Sequence, residues 1–149
     1  MKTQKLAKLT LWANRAVMAV VAALIFTLPT LLRWYADLLG YYPPREELTG
    51  IWIAYILCAC VIGIALFSTD KLMRNILRGQ IFVRENVRKV RIVQHCCGIV
   101  AAVCLVAVVF ALPMILFAAI MGFLSLVVSV LAQVLDAAVA LQEENDLTI

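Results

Sequence analysis

The sequence predicts an all-α integral membrane protein, a four-helix bundle whose helices cross a bilayer and extend into the cytoplasm. Composition is the first reason: 65% of the residues are hydrophobic and 15% charged, with a mean hydropathy of +1.01, against about 45–50% apolar and about 25% charged in soluble domains. The second is spacing, because charge falls in a few blocks separated by uncharged runs near the length that crosses about 30 Å of hydrocarbon. The third is asymmetry, since 11 of the 13 lysines and arginines lie on one side of those runs. The 149 residues are read as one domain, 1–149, with spans near 11–33, 50–70, 92–112 and 114–136, a basic loop 70–91 and an acidic tail 137–149.

The first span is built on residues 16–32, between Arg15 and Arg33. Its apolar run exceeds the about 7–15 residues of a signal-peptide core and no small-x-small cleavage site follows, so it is expected to stay as an anchor. The second span, residues 51–69, is closed by Asp70 and Lys71. Its helix should start near Pro44, a residue suited to the first helical position, with Glu46 and Glu47 favoured by the dipole in the first turn. It should run to Arg78, with Gly79 as a left-handed cap. Between 92 and 135 there are 44 residues without Asp, Glu, Lys or Arg, about twice one crossing at about 1.5 Å per residue. That stretch must be a hairpin, and Pro113 is its turn signal. The third helix should restart near Arg84 after the link GQIF, and the fourth should continue past Asp136 with Leu135, Val139 and Gln142 on one face.

Orientation follows from the cations. Lys2, Lys5, Lys8 and Arg15 precede the first span and seven more lie between 71 and 91, leaving Arg33 and Arg45 on the other side. Cations collect on the cytoplasmic side, so both termini and the middle loop are expected there, in the plasma (inner) membrane. Trp34, Tyr35, Tyr41, Tyr42, Trp52 and Tyr55 would mark the outer interface and Trp12 the inner one.

Small residues recur in alternating steps of four and three along two helices: Ala118, Gly122, Ser125, Ser129 and Ala132, and Cys97, Ala101, Cys104, Val108 and Ala111. Such stripes let helix backbones approach in lipid. The third and fourth helices should therefore pack tightly, although a homodimer face would use the same residues.

The residues that could carry chemistry do not converge on paper. Cys58 and Cys60 point about 200° apart around a helix, and Cys96 and Cys97 about 100° apart. They read as small apolar packing residues. His95, the single histidine, has no second histidine to complete a metal site and is expected near Asp136. No nucleophilic triad, phosphate loop or carboxylate pair is present, so neither an enzyme nor a cofactor is expected. Intramembrane ionisable groups usually mark transport paths, and the centre of every span lacks them. A small oligomeric channel or transporter is the alternative.

The informative residues are cytoplasmic. Residues 70–91 hold seven cations and two anions, net +5, and residues 136–149 hold four anions and no cation, net −4. Anions at a helix C-terminus oppose the dipole, so the tail should have a cationic partner, either the chain's own loop or another protein. Candidate contacts with a partner or with membrane lipids are Lys71, Arg74, Arg78, Phe82, Arg84, Arg88, Lys89, Arg91, Glu143, Glu144, Asp146 and Ile149. Leu141 is expected to anchor the tail, and Leu147, Thr148 and Ile149 to fold back toward Ile81 and Phe82.

The segment RNILRGQIFVRENVRKVR and the ending ALQEENDLTI resemble the bacterial membrane family known as domain of unknown function 2975. Matching positions are Gly79, Phe82, Glu85, Asn86, Val87 and Arg91 in the loop, and Leu141, Glu143, Glu144, Asn145, Asp146, Leu147, Thr148 and Ile149 in the tail. Val83 departs from the family's usual threonine, which would cap the third helix. The resemblance implies a membrane protein of unassigned biochemistry. It also implies a cytoplasmic protein partner, a short helix-turn-helix regulator, with no direct nucleic-acid contact by this chain.

Overall fold

The computed structural model describes residues 2–40, 44–109, 112 and 114–147. Four helices fill them: α1 (Lys2–Leu39), α2 (Arg45–Leu77), α3 (Arg84–Ala107) and α4 (Met114–Leu147). All four are long and apolar enough to cross a membrane. Neighbours run antiparallel, α1 against α2, α2 against α3 and α3 against α4, and among the described residues α1 and α4 do not touch. The bundle is a curved row of helices, and the short links between them dictate that order.

The ends of α2 follow local chemistry. Pro44 precedes it with an extended backbone, and Glu46 and Glu47 occupy the first turn. At the other end Gly79 takes φ +80°, a conformation open to glycine and costly for residues with a Cβ. The amides of Gly79 and Gln80 bond back to the carbonyls of Ile76 and Asn75 at 3.0 Å. Helix α3 restarts at Arg84 behind Val83, whose side chain makes no capping bond.

Helix α1 runs from Lys2 to Leu39, longer at both ends than the span expected at 11–33, because no breaker interrupts the flanking residues. One boundary differs from the sequence reading. Helix α3 stops at Ala107 instead of near 112, and the backbone turns at Val108 and Val109. Reversing direction takes several residues, and two consecutive β-branched valines are weak helix formers; Pro113 itself lies outside the described residues. Expectations placed on Tyr41, Tyr42, Ala111, Thr148 and Ile149 also lie outside them.

The core sits on α3, which touches both α2 and α4. Val100, Cys104 and Ala118 are buried together, with Cys58, Val61, Ile62 and Met121 packed around them. Tight packing of α3 on α4 holds. A Cβ built on Gly98 would stand 3.4 Å from Ser125 Oγ, and one on Gly122 4.0 Å from the Cβ of Ala101. Ser125 donates to the Gln94 carbonyl at 3.1 Å, so its hydroxyl is satisfied inside the seam. On the concave side all four helices line an apolar cavity of about 430 Å³, including Val21, Tyr55, Cys104 and Phe117. Cys58 of α2 packs against the buried cluster that holds Cys104 of α3, beside this cavity, because helices that lie side by side bring together residues far apart in sequence.

Candidate interaction site at the charged end

A belt of two ion pairs marks where the apolar spans give way to charge. Arg15 of α1 reaches Asp70 of α2 at 3.4 Å, and Arg91 of α3 reaches Asp136 of α4 at 2.7 Å. Asp70 is buried and also holds Arg74, one helical turn on, at 2.7 Å. Asn14 donates to the Leu66 carbonyl at 3.1 Å, so α1 is tied to α2 by adjacent residues of one turn. A buried carboxylate needs such partners, since stranding it costs about 3–5 kcal/mol.

Beyond the belt the helices continue. At about 1.5 Å per residue, residues 70–77 of α2 and 84–91 of α3 project about 10 Å and residues 136–147 of α4 about 16 Å. The link 79–83 closes the α2–α3 hairpin at the far end. Asn86 organises it. This residue is 1% exposed; its amide donates to the carbonyls of Gln80 at 2.7 Å and Ile81 at 2.9 Å, and its Oδ1 accepts from Asn75 at 3.0 Å. The Asn86 backbone amide also donates to the Val83 carbonyl at 2.8 Å. At the third position of α3, where a side chain can reach back past the helix start, Asn86 fixes the link that a cap at Val83 would have left to its own backbone.

The tail does dock on a basic helix end. Arg84 forms a two-pronged bond to Glu143, 2.9 Å from Nε and 2.7 Å from the other guanidinium nitrogen, the geometry in which arginine recognises carboxylate best. Arg84 holds the Glu143 carboxyl below its usual range, and Glu143 in turn raises the guanidinium. The Lys89 ammonium bonds Glu85 at 2.6 Å and lowers that carboxyl likewise.

The expected contact residues therefore divide. Arg84, Arg91 and Glu143 meet across α3 and α4, whereas Arg74 is held by Asp70 and Lys71 lies over the Phe67 ring at 4.6 Å. Arg78, Phe82, Arg88, Glu144 and Asp146 are exposed. Lys89 is buried and its ammonium serves Glu85, which removes it as a contact for lipid or partner. The apolar anchoring expected of the tail needs correction at two residues: Leu141 and Leu147 stay within α4 and are 63% and 87% exposed, whereas the fold-back expected of Thr148 and Ile149 lies outside the described residues. Asp136 and Glu143 of α4 both pair with α3. His95 Nδ1 lies 2.6 Å from the Arg91 carbonyl of its own helix, and Asp136, its expected neighbour, is taken by Arg91. Asn14, Asp70, Asn75 and Asn86 escaped the sequence reading as site residues; the usable signal was a polar residue just outside a span.

Residues 32–149 match the sequence profile of the family described as protein of unknown function, DUF2975. No curated protein and no solved structure matches the chain. A match that takes in α2, α3, α4 and the whole charged end apart from the start of α1 settles membership, and the chain, with four helices long and apolar enough to cross a membrane, belongs to the DUF2975 family.

Proposed function

We propose that this protein is a non-enzymatic multi-pass protein of the plasma membrane, with both termini cytoplasmic, that serves as a regulatory or scaffold partner of a cytoplasmic protein. The short helix-turn-helix regulator suggested by the family resemblance is the first candidate. The observation that carries this reading is the projecting end, where α2, α3 and α4 stand about 10–16 Å beyond the ion-pair belt and α3 is braced against the link and against α4 by Asn86, Arg84 and Glu143. Anchoring alone would not require it. The 11 to 2 division of basic residues supports a cytoplasmic location for that end. The apolar lining of the interior cavity offers no polar route for an ion.

Two preparations test this. Purified from native membranes, the full chain should carry a cytoplasmic protein in fixed ratio, and the complex should dissociate when residues 136–149 are removed. Reconstituted alone, it should leave liposomes tight to ions. A conducting preparation with no bound partner would instead establish the channel alternative.

A further inference from the structure

We infer that residues 81–83, at the tip of the α2–α3 link, form a docking site for an acidic, apolar-faced segment of a protein. The inference rests on the partner reading above and names the surface and the chemistry. Ile81 is 44% exposed, Phe82 49% and Val83 37%, three consecutive apolar side chains at the far end of a charged hairpin. Their own membrane cannot cover them. The polar layer on each side of the hydrocarbon is about 5–8 Å deep, and the tip lies beyond α2 residues that already project about 10 Å.

The tip is also held in shape. Asn86 grips the carbonyls of Gln80 and Ile81, and Gly79 supplies the positive φ that turns the chain. A fixed apolar surface binds with less loss of conformational freedom than a mobile one.

Charge selects the occupant. Arg78 precedes the tip, and Arg84 and Arg88 follow it one helical turn apart. Arg78 and Arg88 make no ion pair among the described residues, and Glu85, the nearest anion in sequence, is engaged by Lys89. A segment that set an apolar residue against Phe82 and carboxylates against Arg78 and Arg88 would meet both features, with the aromatic ring as anchor. A basic segment would be repelled.

The test places a photo-activatable cross-linking amino acid at Phe82 in the full chain, in native membranes, and sequences the adduct; the same residue at Glu144 samples the α4 face. The inference requires an adduct at Phe82 with another protein, on a segment that is net acidic and carries apolar residues. Arg78→Glu with Arg88→Glu should cut its yield about tenfold. An adduct with phospholipid, with a second copy of the chain, with its own residues 148–149, or with a basic or neutral segment would overturn it. So would no adduct at Phe82. In any of those cases, capture of a cytoplasmic protein at Glu144 would leave the partner reading standing, whereas failure at both positions would remove both.

Discussion

At the scale of single residues, the charged end depends on polar side chains that face inward. Asn86 completes three side-chain hydrogen bonds from a site that is 1% exposed, so removing it strands Asn75 and two carbonyls together. Asn86→Ala should cost about 2–4 kcal/mol, at roughly 1 kcal/mol or more per bond, and should raise amide exchange across 79–83 at least tenfold. Asn86→Asp should rescue little, because it keeps the acceptor and loses both donors. Unchanged exchange in both variants would show that the link is held by other groups. Little of this was legible beforehand. The resemblance marked Asn86 as a matching position, but its partners are backbone carbonyls, and neither periodicity nor composition reports where a carbonyl points. His95 shows the same limit: its depth suggested Asp136, whereas Arg91, one turn earlier, has the reach and charge to take that carboxylate.

At the scale of elements, helix ends were legible where a residue forces them. Pro44 and Gly79 bracket α2, and four valid expectations about its termini and the start of α3 rest on those two residues and Arg84. The end of α3 at Ala107 was not legible, because a run of Ala, Val and Leu holds no breaker before Pro113. The acidic tail needed a cation, and the sequence offered seven in one loop without saying which; the fold selects Arg84. That pair gives the tail a pH response. Glu143 titrates below its ordinary value of about 4.3, so the attachment it supplies is complete above that value and is lost as the pH falls through the lower, folded one. Spin labels on the projecting parts of α3 and α4 should therefore report a fixed separation at neutral pH and a broad one in acid. Arg84→Gln should give the broad distribution at both. A separation indifferent to acid and to this substitution would mean that the Arg91–Asp136 pair and the buried Val139 hold the tail without Glu143.

At the scale of the whole molecule, composition pointed to four helices able to cross a membrane, and the stripes of small residues pointed to the α3–α4 contact. The row order, the concave apolar cavity and the separation of α1 from α4 among the described residues came only with the structure, since lipid-facing and helix-facing residues are equally apolar and carry no sign of their neighbour. Asymmetry of charge is different, because it is global and survives any rearrangement of helices. The account stands or falls on which side of the membrane the braced, charged end occupies, and a reporter that functions only outside the cytoplasm measures this directly. Fused after residue 149 it should be silent, and inserted between residues 40 and 44 it should be active. The reverse pattern would put residues 70–91 and the α4 projection outside the cell and contradict the cytoplasmic docking platform.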